Sequence, residues 1–164
     1  MKINGKIFKY DDDVNTDVIF PGKYTYEPMT PEQMGEHALE DLDPDFVKKV
    51  EEGDVIVAGK NFGCGSSREQ AAVSIKAAGC RAVIAKSFAR IFYRNCLNSG
   101  LFAITNSQIQ DEVKPGDKIE IDLEGGKIIA NGKTFTFPPP SPEVFGILKA
   151  GGLIPYTREI LAKK

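Results

Sequence analysis

Histidine and cysteine are scarce in this sequence, which limits the metal sites that the chain could build alone. It has one histidine, His37, and three cysteines, Cys64, Cys80 and Cys96, with no Cys-x-x-Cys pair. Structural zinc and iron–sulfur sites need about four such ligands at suitable spacing. We therefore expect no metal or cluster bound by this chain itself. An odd number of cysteines also argues against a disulfide framework, so Cys80 and Cys96 are predicted to be buried thiols.

A strong excess of charge and long apolar runs are also absent. The net charge of -2 and pI near 5.5 give no general attraction for nucleic acid or for an anionic membrane surface. No apolar stretch approaches membrane-spanning length, and the first residues lack the apolar core of a secretion signal. We expect a cytoplasmic protein whose partners are a small molecule or another protein. With 164 residues and 41% hydrophobic content, a single domain over residues 1–164 is expected.

The first two thirds of the chain alternate between strand and helix patterns. Strands are predicted at 2–10, 55–58, 82–85 and 101–104, and helices at 31–39, 69–78 and 88–98, with a further short helical piece from Asp43. Thr30, Pro31 and Gln33 form a helix-start pattern in which the threonine and glutamine cap each other's backbone. Alternating strands and helices favour a parallel sheet covered by helices.

The last third changes character. Alternating residues predict strands at 118–122, 127–130 and 134–137, and the pairs Gly125-Gly126 and Asn131-Gly132 predict hairpin turns between them. A proline-rich connector at 137–142 leads to helical residues interrupted by Gly151-Gly152. The predicted fold class is therefore α/β, with a central mixed sheet, covering helices and β-hairpins.

The most informative segment is the loop at 61–69, which joins the strand at 55–58 to the helix that follows. Two glycines allow the backbone N–H groups to turn outward, Ser66 and Ser67 offer hydroxyls, and Arg68 can hold a carboxylate with two hydrogen bonds. A helix N-terminus adds further attraction for an anion and could stabilise a serine alkoxide. The alternative is that Ser66 and Glu69 only form a capping box. Cys64, inside the same loop, is expected to fill space.

Other motifs fit this loop poorly. A P-loop needs Gly-Lys-Ser/Thr where the chain has Gly65-Ser66-Ser67, and the hydrolase elbow needs a second glycine after Ser66. A Ser–His–Asp triad would have to use His37, which is expected to be a surface or packing residue.

Three segments together carry a family resemblance. They lie in order at 12–21, 59–69 and 87–95, and include the motifs Thr-Asp-x-Ile-x-Pro, Gly-Ser-Ser-Arg-Glu and Ser-Phe-Ala-Arg-Ile-Phe. Across nearly the whole chain the sequence resembles the small subunits of 3-isopropylmalate dehydratase, a family that corresponds to the swivelling domain of aconitase. The resemblance implies a swivelling β/β/α domain and a two-subunit hydro-lyase, active only with its large subunit.

The resemblance also implies roles for residues. Ser66 would be the base that removes a proton beside a substrate carboxylate, and Ser67 and Arg68 would bind that carboxylate. Thr16 and Asp17 match the Thr-Asp motif near the site, with loop capping as the alternative. A [4Fe–4S] cluster on the large subunit would supply the Lewis acid for the departing hydroxyl, and this chain would bind no cofactor. In isolation the small subunit could form homo-oligomers.

Two further groups of residues have open roles. Arg90 and Arg94 lie four apart on one helical face and could meet substrate, the large subunit or solvent. Tyr24, Thr25, Tyr26 and Glu27 stand at the loop that contacts the variable part of the substrate in relatives, where Tyr-Leu-Arg-Thr is common.

In this chain that loop lacks the arginine. Tyr26 could face an alkyl group, and Glu27 would repel a third carboxylate. The expected substrate is a branched alkylmalate, with isopropylmalate first, dimethylmalate close behind and homoaconitate less favoured. Gln70 replaces the histidine common after the glutamate. A regulatory module that binds a carboxylate without catalysis is the alternative of another class.

Overall fold

One mixed sheet of seven strands runs through residues 1–163, the part of the chain that the computed structural model describes. The strands are β1 (Lys2–Lys9), β2 (Val55–Ala58), β3 (Ala82–Ala85), β4 (Phe102–Thr105), β5 (Lys118–Asp122), β6 (Lys127–Ala130) and β7 (Lys133–Thr136). Their order is β4-β3-β2-β1-β5-β6-β7. Strands β1 to β4 pair in parallel, whereas β1 pairs with β5, and β5 to β7 with each other, in antiparallel fashion. The predicted mixed sheet with hairpins is confirmed.

Short and long helices connect the strands. In chain order they are α1 (Thr16–Ile19), α2 (Pro31–Gly35), α3 (Phe46–Lys49), α4 (Glu69–Ala78), α5 (Arg90–Ser99), α6 (Ile109–Glu112), α7 (Pro142–Ala150) and α8 (Leu153–Ala162), with a single 3-10 turn at Gly22–Tyr24. Within residues 1–163 no helix is long and apolar enough to cross a membrane.

The strands of the parallel half are buried on both faces. Val55 and Val57 of β2 point into one core, which also contains side chains of α7 and of the antiparallel strands. Ile56 and Ala58, on the opposite face, pack in a second core with side chains of α4 and α5. Continuous apolar runs such as that of β2 are expected in a strand covered on both sides. The helices therefore lie against the sheet as the strand–helix alternation predicted.

The helix that begins at Pro31 is shorter than the sequence indicated. The predicted start is confirmed, since the Thr30 side chain accepts from the Gln33 N–H and the Gln33 side chain accepts from the Thr30 N–H. However, α2 ends at Gly35 instead of near Leu39. Leu39 has φ of +55°, and its N–H donates to the Ile19 carbonyl at 2.7 Å. This tertiary hydrogen bond replaces an intrahelical one, and the residues after Gly35 form successive turns instead of a longer helix.

The helix predicted to start at Phe88 starts two residues later. Ala89 is the N-cap with extended backbone, and Phe88 forms an isolated parallel bridge with Phe62. The bridge holds Phe88 extended, so α5 begins at Arg90. The C-terminal end at Gly100 is as predicted, with φ of +80°.

The parallel pairing places three loops at one edge of the sheet. Residue Phe8 of β1 is opposite Ile56 of β2, and Ala58 of β2 is opposite Ala85 of β3. The segments that follow β1, β2 and β3 therefore leave the sheet side by side. In open α/β sheets, ligands bind outside the carboxyl ends of the strands, so a ligand site is expected at this edge.

We predict that Asp54 ties β1 to the start of β2. Its side chain is buried and accepts from the Lys6 N–H at 3.0 Å, the Lys6 ammonium at 2.6 Å and the Glu51 N–H at 2.8 Å. Asp54→Ala leaves these donors unpaired and should lower the free energy of unfolding by about 2–4 kcal/mol. Urea unfolding of the purified chain measures this loss.

The matched control is Glu52→Ala. Glu52 is 76% exposed and pairs with Arg81 at 3.8 Å, so its loss should cost less than about 1 kcal/mol. Equal losses for the two variants would contradict the assignment.

Candidate functional site

A cleft of about 180 Å³ opens at the carboxyl ends of β2 and β3. One wall is formed by Thr16, Gly63 and residues 65–68, and the other by residues 89–92 and Asn95. The structure therefore brings together the Gly-Ser-Ser-Arg loop, part of the Thr-Asp motif and the start of α5. These three segments are the ones that carry the family resemblance, and they are far apart in sequence.

Ser66 lies in this wall with its side chain exposed and its backbone held. The Ser66 carbonyl accepts from the Thr16 hydroxyl at 2.7 Å. Helix α4 begins at Glu69 with Arg68 as an extended N-cap and has no side-chain cap. The capping-box alternative for Ser66 is therefore wrong, because the helix starts too late for Ser66 to cap it. Among residues 1–163 the Ser66 hydroxyl has no hydrogen-bond partner, which leaves it free to act on a ligand.

The serine loop is anchored to the segment that follows β1. The Thr16 N–H donates to the Cys64 carbonyl at 2.9 Å, and the Gly63 N–H donates to the Val14 carbonyl at 2.7 Å. Gly63 has φ of +84°, and a Cβ added there would lie 2.2 Å from Cγ of Phe92. Only glycine fits this position. The loop is thereby held against both of its neighbouring segments.

One residue in the left-handed backbone conformation lies at the start of the serine loop, and another lies in the neighbouring segment after β1. Asp13 has φ of +57° and Asn61 has φ of +60°. The Asn61 side-chain amide donates to the Asp13 carboxylate at 3.1 Å. Asparagine and aspartate tolerate this backbone region better than most residues. The acidic run at 11–13, predicted to be a solvated turn, thus also supports the site.

Arg68 is fixed by the Thr-Asp segment. Its Nη1 lies 2.5 Å from Oδ1 of Asp17 and donates to the Phe20 carbonyl at 3.3 Å. Only 16% of the Arg68 side chain is exposed, against 60% for Asp17. A Cβ added to Gly22 would lie 2.9 Å from Nη2. The guanidinium is therefore held on one side by protein groups, and Asp17 contacts Arg68 without lining the cleft itself.

Thr16 lies beneath the serine loop. It is 2% exposed, and its hydroxyl donates a hydrogen bond to the Ser66 carbonyl. Thr16 lines the cleft from beneath the serine loop.

The four residues at 24–27 lie beside the site but do not line the cleft. The Tyr24 ring packs on His37 with centroids 4.2 Å apart, and the Tyr26 side chain is 97% exposed. The Gln70 side-chain amide donates to the Thr25 carbonyl at 3.4 Å. Gln70 therefore connects this loop to α4, two residues after Arg68. Glu27 is exposed on the same loop.

The remaining candidate nucleophiles and ligands lie elsewhere. His37 Nδ1 is 2.9 Å from Oε1 of Glu40, away from the serine loop, so no triad forms. Cys80 and Cys96 are buried free thiols, as predicted, and burial raises the pKa of both. Within residues 1–163 no group of three or more His, Cys, Asp or Glu side chains could hold a metal ion. The described residues therefore do not fit an iron–sulfur cluster.

The far wall of the cleft comes from the third resemblance segment, of which only Arg90 was expected to be able to meet substrate. Asn95 and Ile91 line it, and they were not predicted as site residues. The available signal was topological: α5 follows β3, whose carboxyl end lies next to that of β2. Ligand binding outside the carboxyl ends of both strands predicts that the start of α5 lies at the site.

Comparison with known proteins places this architecture in a family. Residues 13–109 match the family model described as the aconitase C-terminal domain. The 3-isopropylmalate dehydratase small subunit of Thermodesulfovibrio yellowstonii is 46% identical, and the match covers 99% of this chain and 97% of that protein. The methanogen homoaconitase small subunit of Methanocaldococcus jannaschii is 50% identical over 97% of this chain and 93% of its own length.

Solved structures agree with the fold. A crystal structure of a 3-isopropylmalate dehydratase from Methanocaldococcus jannaschii matches with a TM-score of 0.90 and 48% identity, over 99% of this chain and 98% of that one. Aconitase X from Thermococcus kodakaraensis shares the fold alone, with a TM-score of 0.54 and 16% identity over 79% of this chain and 90% of that one. The chain therefore belongs to the family of 3-isopropylmalate dehydratase small subunits, built on the aconitase C-terminal domain.

Proposed function

We propose that this chain is the small subunit of a two-subunit hydro-lyase that interconverts 2- and 3-isopropylmalate by dehydration and rehydration, with Ser66 as the base. The observation that carries the proposal is the exposed Ser66 hydroxyl in a cleft next to Arg68, just before α4. Family membership and the names of the similar proteins support the reaction class.

The proposed proton transfer needs a serine that is deprotonated for part of the cycle. An ordinary serine hydroxyl is too weak an acid for this role. Uncapped N–H groups at the start of α4 and the Arg68 guanidinium favour negative charge nearby. The Ser66 oxygen would then take the proton from the carbon beside a carboxylate. The electron pair of that C–H bond forms the double bond as hydroxide leaves the neighbouring carbon.

Ser67 and Arg68 are assigned to one substrate carboxylate. With Nη1 directed to Asp17 and Phe20, the remaining N–H groups of Arg68 stay available for a ligand. We assign Asp17 and Thr16 to positioning: Asp17 orients the guanidinium, and Thr16 orients the backbone of Ser66. This refines the substrate-binding role that the family motif implied for both.

The rest of the chemistry is assigned to the large subunit. We place the [4Fe–4S] cluster there, where it would supply Lewis acidity, because the described residues of this chain do not fit a cluster. The relatives named as small subunits support such a partner. The cytoplasmic location, the single domain and self-association of the isolated chain stay predictions of the sequence.

A second candidate substrate is homoaconitate. The similarity to a methanogen homoaconitase small subunit favours it, whereas the exposed Glu27 and the missing arginine in the 24–27 loop disfavour a third carboxylate. Dimethylmalate dehydration is the nearer alternative. We expect isopropylmalate to be the preferred substrate, with Tyr26 available on the loop to face its alkyl group.

The proposal is tested with the reconstituted complex. The chain is mixed with the large subunit from the same genome, and absorbance of the unsaturated acid is followed with isopropylmalate, dimethylmalate and homocitrate as separate substrates. We expect the highest kcat/KM for isopropylmalate. Highest kcat/KM for homocitrate would establish the homoaconitase alternative, and no turnover of any of the three would contradict the proposed function.

Ser66→Ala should abolish most of the activity of this complex. Removing a general base costs roughly 10²- to 10⁴-fold in kcat, with assembly of the two subunits unchanged. The matched control is Ser107→Ala, because Ser107 is an exposed serine that follows β4 and does not line the cleft. A module that only binds a carboxylate would keep its kcat when Ser66 is replaced, and that result would refute the catalytic role.

Arg68→Lys should raise KM, since lysine keeps the charge but loses the planar fork. The loss of a charge-assisted contact corresponds to about 1.5–3 kcal/mol in kcat/KM. Arg81→Lys is the control, because Arg81 pairs only with exposed Glu52. If the glycine-rich loop served packing alone, both lysine variants would match the wild-type kinetics.

A further inference from the structure

The loop at 24–27 is held at its base by a carboxylate that lies outside it. Glu40 stands in the turns after α2, and its Oε1 accepts from the Tyr24 hydroxyl at 3.4 Å. The same oxygen lies 2.9 Å from Nδ1 of His37, whose ring packs on that of Tyr24. Oε2 of Glu40 lies 3.8 Å from Nζ of Lys23. One carboxylate thus contacts two consecutive residues at the start of the loop.

This carboxylate carries a charge that its neighbours stabilise. Oε2 of Glu40 is buried and accepts no hydrogen bond from residues 1–163. Burial by itself would raise the pKa of the carboxyl, but the hydrogen bond with His37, the charge of Lys23 and the Tyr24 hydroxyl together lower it below its ordinary value. The group is therefore ionised at neutral pH. A partly buried anion favours the arrangement that keeps its donors close.

The backbone that directs Glu40 toward the loop is unusual. Leu39, the preceding residue, is fully buried and has φ of +55°. Leucine seldom adopts the left-handed backbone region, and such residues persist only where the surrounding structure holds them. Here the Leu39 N–H donates to the Ile19 carbonyl at 2.7 Å, and the next carbonyl, that of Phe20, accepts from Arg68. The turn that carries Glu40 is thus fixed to the segment that holds Arg68.

The same turns are also fixed to the helix that follows the serine loop. A Cβ added to Gly35, the last residue of α2, would lie 2.9 Å from the backbone carbonyl carbon of Ala77 in α4. The two helices therefore approach closely at this point. Glu40 is consequently attached to a frame that includes Arg68 and α4, and it holds the loop from that frame.

The far end of the loop, in contrast, has little support of its own. The Tyr26 side chain is 97% exposed. At the base, Gly22 lies against the guanidinium of Arg68, and the Thr25 carbonyl accepts from the Gln70 amide at 3.4 Å. The position of Tyr26 relative to Arg68 therefore depends on the contacts made by residues 22–25, of which the contact between Tyr24 and Glu40 is one.

We infer that Glu40 is a positioning residue for selectivity: by holding Tyr24 it fixes where Tyr26 stands relative to the carboxylate bound at Arg68, and so which alkyl group fits. This inference rests on the proposed function, since it names a residue that determines substrate choice at the same site. Glu40 acts through the loop and contacts no substrate itself.

The kinetic experiment compares Glu40→Ala, Glu40→Gln and Glu36→Ala in the reconstituted complex. Glu36 is the matched control, because it is an exposed glutamate in the same turns. We expect Glu40→Ala to raise KM for isopropylmalate roughly 10-fold, about the discrimination of one methylene group, with kcat within about twofold of wild type. The ratio of kcat/KM for isopropylmalate to that for dimethylmalate should fall. Glu40→Gln, which keeps an acceptor oxygen, should lose less, and Glu36→Ala should match wild type.

Two kinetic outcomes would overturn the inference. Wild-type kinetics of Glu40→Ala would show that the loop does not need this carboxylate. A fall in kcat for both substrates with an unchanged kcat/KM ratio would show a general structural role. Tyr24→Phe removes only the hydroxyl, so it should lower the same ratio, and the double variant Tyr24→Phe/Glu40→Ala should be no worse than Glu40→Ala.

Hydrogen exchange separates this inference from the proposed function. The N–H groups of Thr25 and Glu27 donate to the carbonyls of Gly22 and Tyr24, so they report on the loop. In the isolated full chain we expect Glu40→Ala to speed exchange at these two amides roughly 10-fold, with the amides of α4 unchanged. That result would support the role of Glu40 even if the complex turned over none of the tested substrates. Unchanged exchange in the loop, or an equal increase in the loop and in α4, would contradict it.

Discussion

The parallel pairing of β1, β2 and β3 is the constraint on which the site depends. Because Phe8, Ile56 and Val83 lie in register across the three strands, their following segments leave the sheet at one edge. Beyond the ends of the strands, hydrogen bonds between those segments hold them together in place of the backbone pairing of the sheet. The Val14 carbonyl holds Gly63, and Thr16 holds the backbone of Cys64 and Ser66. A slip in strand register would misplace every one of these contacts.

The site shows how a slightly acidic protein can attract an anion. The net charge of the whole protein has little effect here, because the electrostatic field in a cleft depends mainly on the nearest charged groups. Arg68 and Arg90 supply positive charge, and the starts of α4 and α5 lack side-chain caps. The Asp17 carboxylate is directed to Arg68 and is not part of the cleft lining. An acidic residue can thus strengthen an anion site when its charge is used to orient a cation.

The segment between α1 and α2 is held in place by other contacts. Its support comes from two other segments: Gln70 of α4 donates to the Thr25 carbonyl, and His37 and Glu40, in the turns after α2, contact Tyr24. Gly22 lies against the Arg68 guanidinium, so the loop also limits the space around that group. Changes in this loop would therefore reach the carboxylate site through Gly22 and Arg68, which links the shape of the loop to substrate choice.

Much of the fold followed from local chemistry. The period-2 patterns and the turn pairs predicted the antiparallel strands, and the buried runs at 55–58 and 82–85 predicted the parallel ones, all confirmed. Helix α4 was predicted to the residue, since Gly79 ends it. The errors occur where a distant contact replaces a local one, as when Leu39 bonds to Ile19 and when Phe88 pairs with Phe62. Neither partner could be identified from nearby residues.

The sequence by itself determined which chemistry is available: a loop of glycines, serines and an arginine before a helix, too few ligands for a metal site, and motifs that identify the family. The tertiary structure decided how those groups are used. It freed Ser66 from a capping role, turned Asp17 toward Arg68, and brought Arg90 to the opposite wall of the same cleft. The reason is physical, since a side chain's role depends on which groups the packed sheet places within hydrogen-bonding distance, and those groups lie tens of residues away along the chain.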